Sequence, residues 1–91
     1  MKYTLKPTTQ FKKDLKRLQK RNYNLELLKA VLNTLANGES LATKHRDHVL
    51  SGTYAGLHEC HIEPDWLLVY DIQDEDLILY LMRTGTHSDL F

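Results

Sequence analysis

The chain has 91 residues, of which 42% are hydrophobic, and this composition excludes a disordered chain and predicts a single domain over residues 1–91. Its apolar runs are too short to cross a bilayer and its first residues lack the apolar segment of a signal peptide, so we expect a cytoplasmic protein without membrane contacts. The single cysteine, Cys60, excludes an internal disulfide.

The formal net charge of zero conceals two halves of opposite sign. Residues 1–46 carry eleven Lys and Arg against three Asp and Glu, whereas residues 47–91 carry one Arg against nine Asp and Glu. A charge asymmetry of this size predicts that the basic half binds a polyanion and that the acidic half has a different function. Solvated helix faces are the alternative explanation.

The first half predicts a strand followed by two helices. Alternation over residues 3–6 predicts the strand. Thr8 or Thr9 can cap the first helix, and Asn24 can cap the second. Like charges along one helix face repel each other, so a continuous basic row is best explained by an anion that binds there. The basic residues predicted to bind RNA or the ribosome are Lys12, Lys13, Lys16, Arg17, Lys20 and Arg21 in the first helix, with Lys44 and Arg46 in a later loop.

The second half predicts a sheet. Residues 39–53 show no hydrophobic period and form a loop of a length that is usually functional. Strands are predicted at residues 54–62, 67–72 and 77–82, and their short connections favour antiparallel neighbours. The predicted fold class is therefore α+β in the order β-α-α-β-β-β, a small and mainly antiparallel sheet with a two-helix hairpin packed on one face.

The turn around Asp65 predicts a β-hairpin whose tip carries His61, Asp65 and Trp66. His61 and Asp65 flank this turn, so we expect their side chains to approach each other across it. His48 and His87 lie at the edges of a predicted loop and strand, and we predict that they and the C-terminal Phe91 converge with this tip into one site. Imidazoles and a carboxylate can perform general acid–base catalysis on an RNA phosphodiester, because histidine populates both protonation states near neutral pH. One group removes the ribose 2′-hydroxyl proton and another protonates the departing 5′-oxygen.

Three further residues are candidates for positioning the substrate. Arg83, or alternatively the basic row of the first helix, can offset the charge that builds on the phosphorane. Trp66 and Phe91 offer flat faces for an unstacked base, although core packing explains Trp66 equally well. His45 and His58 are assigned structural roles. Zinc binding by Asp65 and the other three histidines is a weaker alternative, because their spacing matches no compact ligand pattern. No metal or other cofactor is predicted.

Motifs along the whole chain, taken together, resemble one known family. They are Asp47-His48, Leu50-x-Gly52, His61-Ile-Glu-Pro-Asp65-Trp66, Tyr70 and Arg83-Thr-Gly-Thr-His87-Ser-Asp-Leu-Phe91. In these motifs, in its length and in its basic helix pair, the chain is similar to the YafQ branch of the RelE/ParE-type toxins of bacterial toxin–antitoxin modules. The resemblance implies a RelE-like fold and a ribosome-dependent endoribonuclease that cuts mRNA in the decoding site and is silenced by a cognate antitoxin.

The resemblance also implies residue roles and a reaction in which the 2′-hydroxyl attacks. Trp66 and Phe91 match the aromatics that position the substrate. The division between acid and base stays open, with His87 or His61 as the base and Asp65 orienting or donating. The basic half is expected to face ribosomal RNA, and the free protein to be a monomer. The alternative is a non-catalytic ParE-like toxin that inhibits a protein such as a gyrase. This alternative gives no function to the residues that match the family's catalytic set. Four residues match that set: His48, His61, Asp65 and His87.

Overall fold

The computed structural model describes residues 1–91 and contains one mixed sheet and three helices. The strands are β1 (Thr4–Pro7), β2 (His48–Val49), β3 (His58–Glu63), β4 (Trp66–Gln73) and β5 (Ile78–Gly85). The helices are α1 (Thr9–Lys20), α2 (Leu25–Ala36) and α3 (His87–Leu90). The strand order is β1-β5-β4-β3-β2, and only the β1–β5 pair is parallel. The predicted α+β class and mainly antiparallel sheet are confirmed.

Both long helices begin at predicted caps. The Thr8 side chain accepts a hydrogen bond from the Phe11 N–H at 3.1 Å, and the Asn24 side chain accepts one from the Glu26 N–H at 3.1 Å. Each bond satisfies a donor that the first helical turn leaves unpaired. None of the three helices has the length and apolar content that crossing a membrane requires.

The two faces of the sheet are covered unequally. The face under α1 and α2 holds the main core of thirteen buried residues. We call the opposite side the open face; it holds three buried hydrophobic residues, Leu67, Val69 and Leu90. Side chains alternate along β3, so Cys60 and Ile62 enter the main core. Glu59 and His61 therefore lie on the open face.

A buried carboxylate continues the pairing of β5 where β1 ends. β1 pairs with β5 as far as Pro7 and Leu81. Further along β5, the Thr84 N–H and the Arg83 Nε–H donate to Asp14 Oδ2 of α1 at 3.1 and 2.8 Å. Burial raises the pKa of Asp14, but the hydrogen bonds from Arg83 and Thr84 outweigh it and leave this pKa lowered. Asp14 therefore joins α1 to β5.

Some predicted boundaries were wrong. β1 lies one residue later than predicted, and β3 begins at residue 58 rather than 54, because Gly52–Tyr54 forms a 3₁₀ turn. β5 extends to Gly85 because it stays paired with β4. The predicted order omitted β2 and α3, which have two and four residues and are too short to show a period. The observed order is β-α-α-β-β-β-β-α.

Candidate active site

Asp65 and His87 form a hydrogen-bonded pair at one end of the sheet. Asp65 lies in the turn between β3 and β4, and His87 is the first residue of α3. The Nδ1 and the backbone N–H of His87 lie 3.1 and 3.3 Å from Asp65 Oδ1. The His87 imidazole, and then its backbone N–H, hold the pKa of Asp65 below its usual range. An ionised carboxylate only accepts, so Nδ1 carries the proton and Nε2 of His87 stays free.

Contacts around Asp89 fix α3 and therefore the histidine at its start. The Thr86 N–H donates to the Asp89 carboxylate at 3.0 Å and the Asp89 N–H donates to the Thr86 hydroxyl at 3.2 Å, which completes a capping box. The same carboxylate accepts two hydrogen bonds from Arg21 at 2.8 and 3.1 Å and lies 3.7 Å from Arg17. Arg21 is the main reason that the pKa of Asp89 is lowered.

Gly85 allows this close approach of Asp89 to the end of β5. The φ angle of Gly85 is +153°, a value that L side chains rarely adopt. A Cβ at this position would lie 2.9 Å from the Asp89 carboxylate. The glycine that follows Arg83-Thr84 is therefore needed to place α3 beside the sheet.

His48 and His61 both contact one buried carboxylate, Glu59. Nε2 of His48 lies 3.4 Å and Nε2 of His61 lies 4.0 Å from Glu59 Oε1. The other ring nitrogen is held by backbone: Nδ1 of His48 donates to the Arg46 carbonyl at 2.7 Å, and Nδ1 of His61 donates to the Pro64 carbonyl at 3.1 Å. Each ring, when neutral, therefore carries its proton on Nδ1 and its lone pair on Nε2.

The aromatic rings continue from this group toward the end of the chain. The ring centroids of His61 and His87 are 6.1 Å apart, and those of His87 and Phe91 are 6.3 Å apart. Phe91 meets Tyr54 edge to face at 5.5 Å. The structure thus brings the three histidines, Asp65 and Phe91 into one continuous row, as the sequence predicted for these five residues.

The contact expected between His61 and Asp65 across the turn was wrong. Asp65 bonds to His87 instead, and His61 bonds to the Pro64 carbonyl. Within the row, no group of three or more His, Cys, Asp or Glu side chains has an arrangement suited to a metal ion.

A cavity of about 280 Å³ lies next to Phe91. The rings of Tyr54 and Phe91, the side chain of Met82 and the guanidinium of Arg83 contribute to its lining. Arg83 is held in the wall by its ion pair with Asp14 at 2.8 Å, which raises the pKa of the guanidinium. The cavity therefore combines aromatic faces with a cation that stays charged.

The prediction that Trp66 offers a face to a base was wrong. Trp66 is 1% exposed and belongs to the main core. Its Nε1–H donates to the Thr84 hydroxyl at 2.9 Å, which in turn donates to the Leu67 carbonyl at 2.8 Å. The indole also meets the Tyr23 ring edge to face at 5.0 Å. Trp66 therefore packs in the core beneath the β3–β4 hairpin and does not form part of its exposed surface.

The basic row of α1 divides into two groups. Arg17 and Arg21 form ion pairs with Asp89, so these two side chains hold α3. The remaining cations that were predicted to bind RNA are exposed and form no ion pair within the chain. They are Lys12, Lys13, Lys16, Lys20, Lys44 and Arg46.

The two histidines that were assigned structural roles have internal partners. Nδ1 of His45 donates to the His61 carbonyl at 2.6 Å. The ring of His58 stacks on Tyr70 with the centroids 5.0 Å apart. Both contacts support the β3 strand that carries His61.

Sequence reasoning missed four residues at the site. Glu59 had a usable signal, since period-two alternation puts it on the face of His61. Asp14 also had one, because it lies three residues after Phe11 on the apolar stripe of α1. Asp89 had one as well, because Thr86 and Asp89 have the spacing of a capping box. No sequence signal identified Tyr54.

Comparison with known proteins identifies the family. The sequence matches the family described as bacterial toxin of type II toxin–antitoxin system, YafQ, over residues 3–91. It is 40% identical to the mRNA interferase toxin YafQ of Escherichia coli (strain K12) over 83 residues, which are 90% of this chain and 88% of that relative.

Solved structures agree with this assignment. The structure is similar to a metal-bound toxin from Helicobacter pylori, with a TM-score of 0.92, 44% identity and coverage of 98% of this chain and 99% of that chain. It is also similar to a chain of the E. coli DinJ–YafQ complex, with a TM-score of 0.88, 37% identity and coverage of 98% of each chain. Because the family match spans nearly the whole sequence, the chain belongs to the YafQ family of bacterial toxins of type II toxin–antitoxin systems.

Proposed function

We propose that this chain is an endoribonuclease toxin that cuts mRNA on the ribosome and is neutralised by a cognate antitoxin. Membership of the toxin family and the relative named as an mRNA interferase support this proposal. The observation that carries it is the Asp65–His87 pair with the ring of His61 6.1 Å beyond it. This spacing lets two imidazoles reach oxygens of one phosphate group.

His61 acts as the general base in the proposed reaction. Its Nδ1–H donates to the Pro64 carbonyl, so Nε2 of the neutral ring holds the lone pair. Nε2 removes the 2′-hydroxyl proton, and the 2′-oxygen then bonds to the adjacent phosphorus. The bond from phosphorus to the 5′-oxygen of the next nucleotide breaks, which leaves a 2′,3′-cyclic phosphate. Nδ1 of His48 likewise donates to a backbone carbonyl, so His48 is the second candidate base.

His87 acts as the general acid. The Asp65 carboxylate accepts the Nδ1–H and stabilises the doubly protonated ring through a charge-assisted hydrogen bond. The Nε2–H then passes its proton to the departing 5′-oxygen, which becomes a 5′-hydroxyl. Asp65 therefore orients His87 and does not itself donate. Each such proton transfer contributes about 10²- to 10⁴-fold to the rate.

The cavity beside Phe91 receives an unstacked base of the message. Phe91 and Tyr54 supply π-faces, and stacking on such a face is worth about 1–3 kcal/mol per base. Arg83, in the same wall, faces the phosphate and stabilises its growing negative charge.

The exposed lysines of α1 support binding to ribosomal RNA. Their contacts with phosphates are independent of sequence and depend on salt. The E. coli YafQ relative forms a complex with DinJ, which supports an antitoxin partner for this chain. The lysines of this surface are Lys12, Lys13, Lys16 and Lys20.

Mapping of mRNA ends tests the proposed activity. Purified toxin is added to a reconstituted translation reaction, and new 5′ ends are sequenced with and without ribosomes. Discrete cuts that require ribosomes and carry 5′-hydroxyl ends are expected. Translation arrest with intact message would contradict the nuclease activity and would favour a protein target.

Metal independence is tested in the same reaction. Toxin that has been stripped of metal and desalted is assayed with a chelator selective for transition metals, which leaves the Mg²⁺ that ribosomes need. Unchanged cleavage is expected, since the proposed proton transfers use only side chains of this chain. Loss of cleavage that zinc or copper restores would contradict this part of the proposal.

A further inference from the structure

A basic pocket of about 170 Å³ adjoins the active site at His61. Its lining consists of Lys44, Arg46, His61 and Pro64, so it contains two cations and no acidic side chain. Both cations are exposed, and neither forms an ion pair within the chain. Positive charges that share a pocket repel each other and attract an anion, so the basic pocket is suited to a phosphate group of RNA.

Hydrogen bonds to the backbone hold both cations beside His61. The residue between them, His45, donates from Nδ1 to the His61 carbonyl at 2.6 Å. The Arg46 carbonyl accepts a hydrogen bond from Nδ1 of His48 at 2.7 Å, and the φ angle of Arg46 is +47°. Residues with a Cβ rarely adopt this left-handed conformation, because it costs free energy. The loop that carries the two cations is therefore fixed against β3 by the fold.

The basic pocket and the cavity beside Phe91 lie at opposite ends of the active-site row. Val69 of β4 and Met82 of β5 line the cavity. The basic pocket is lined by β3 and by the loop that precedes β2, on the other side of the order β5-β4-β3-β2. His87 and His61 lie between the two, with ring centroids 6.1 Å apart. An RNA strand that crosses the row therefore meets the cavity and the basic pocket on opposite sides of the reacting phosphate.

The proposed acid and base give this RNA strand a direction. His61 takes the 2′-hydroxyl proton of the nucleotide on the 5′ side of the cut, and His87 protonates the 5′-oxygen of the nucleotide on the 3′ side. The path from His61 to His87 therefore runs from 5′ to 3′ along the message. The preceding phosphate then lies beyond His61, toward the basic pocket, and the following base lies beyond His87, toward Phe91.

We propose that the basic pocket is a subsite for the phosphate immediately 5′ of the nucleotide that supplies the attacking 2′-hydroxyl, an inference that rests on the proposed nuclease function. Lys44 and Arg46 donate charge-assisted hydrogen bonds to the oxygens of this phosphate. The cavity beside Phe91 takes the base immediately 3′ of the cut. An exposed ion pair changes affinity about threefold, so the two cations together contribute about tenfold.

The double variant Lys44→Gln/Arg46→Asn removes both charges without straining the loop, because asparagine adopts the left-handed conformation more readily than most residues. Lys29→Gln, at an exposed position on α2, is the matched control. The first measurement is the single-turnover rate of cleavage, at subsaturating toxin, of ribosome-bound mRNA that carries one neutral methylphosphonate. The methylphosphonate replaces either the phosphate assigned to the basic pocket or the phosphate that follows the base in the cavity.

The methylphosphonate on the 5′ side should slow wild type and Lys29→Gln about tenfold. The double variant should be about tenfold slower on unmodified mRNA and should lose nothing further from this methylphosphonate. The methylphosphonate on the 3′ side should change the rates of all three proteins by the same factor. Losses that multiply when the double variant meets the 5′ methylphosphonate would overturn the subsite. Non-additivity with the 3′ methylphosphonate instead would overturn the direction of the strand.

The second measurement does not depend on cleavage. The free protein is titrated, with detection by NMR, with a 2′-deoxy dinucleotide that lacks the attacking hydroxyl and carries a terminal phosphate at its 5′ end, at its 3′ end or at neither. The 5′ phosphate should tighten binding to wild type several-fold and should not tighten binding to the double variant. No tightening in wild type, or equal tightening in both proteins, would overturn the subsite even if the toxin cuts mRNA. A wild-type protein that shows this tightening but cuts no mRNA would refute the nuclease proposal alone.

Discussion

Asp14 offers the most direct test of how the fold holds the site together. The side chain is fully buried and accepts hydrogen bonds from Arg83, Thr84 and Gln10 at 2.8, 3.1 and 3.2 Å. Asp14→Ala leaves the Thr84 N–H without an acceptor and the Arg83 guanidinium without its counter-ion. Removing one partner of a buried ion pair costs about 3–5 kcal/mol.

The expected loss lies at the lower end of this range, because the Arg83 side chain is 30% exposed and water can solvate it. We expect Asp14→Ala to lower the free energy of unfolding by about 3 kcal/mol. Asp14→Asn keeps one acceptor oxygen for the Thr84 N–H, but it loses the charge and places an NH₂ group opposite the Gln10 and Arg83 donors, so a loss of about 2 kcal/mol is expected. Domains of this size have about 5–15 kcal/mol of stability, so both variants should remain folded.

Urea denaturation followed by circular dichroism at pH 7 measures these differences, with Asp76→Ala in the exposed β4–β5 turn as the control. The control should stay within about 0.5 kcal/mol of wild type. A loss below about 1 kcal/mol for Asp14→Ala would refute the view that Asp14 joins α1 to β5.

The lowered pKa of Asp14 adds a dependence on pH. A carboxyl group whose pKa falls on folding stabilises the native state at any pH above its pKa in the unfolded chain, which is near 3.8 for aspartate. This stabilisation is lost as the pH drops through the lower pKa of the folded state. The stability difference between wild type and Asp14→Asn should therefore be constant from about pH 7 to 5 and shrink below about pH 4. A stability difference between the two proteins that grows as the pH falls would contradict a lowered pKa for Asp14.

Activity and ribosome binding give further tests. His87→Ala should lower kcat by about 10²- to 10⁴-fold with an unchanged melting temperature; single-turnover cleavage near the wild-type rate would remove His87 from the mechanism. Phe91→Ala should raise KM about tenfold through lost stacking, whereas Phe91→Tyr should not, and equal KM values for both variants would count against the base cavity. Replacing four lysines of α1 with glutamine should weaken ribosome binding and should reduce the dependence of log K on log salt concentration by about one per lysine. Lys29→Gln on α2 should change neither quantity. An unchanged salt dependence in the fourfold variant would refute ribosome binding by this surface. The four are Lys12, Lys13, Lys16 and Lys20.

The sequence predicted the long elements because their signals are local. Thr8 and Asn24 cap the two helices as expected, and the apolar runs of β4 and β5 are the inner strands of the sheet. β2 was missed because it has only two residues and is a strand through its pairing with β3. Two residues are too few to show the alternation that predicts a strand. α3 was missed because four residues are too few to show a helical period, although the capping box between Thr86 and Asp89 marks its start.

The sequence predicted that three histidines, Asp65 and Phe91 lie close together, but it did not predict which of them pair. Histidine and aspartate near turns are recognisable as candidate catalysts, yet Asp65 bonds to a histidine 22 positions away rather than to the nearer His61. Trp66 was misplaced because an aromatic residue at a strand end has the same sequence signature whether it faces the core or the solvent. Its burial follows from the Thr84 hydroxyl on β5, a partner that only the register of β4 with β5 supplies.

The opposite charges of the two halves of the sequence form ion pairs between the halves. Asp89 of the acidic half binds Arg21 and Arg17 of the basic row, and this contact fixes the helix that begins with His87. Asp14, the one acid within α1, binds Arg83, the one arginine of the acidic half. Each half thus contributes the counter-ion that the other needs near the site, while the lysines of α1 remain unpaired. A net charge of zero is therefore compatible with a strongly cationic surface, because Arg17, Arg21 and Arg83 form ion pairs within the chain and the exposed lysines of α1 do not.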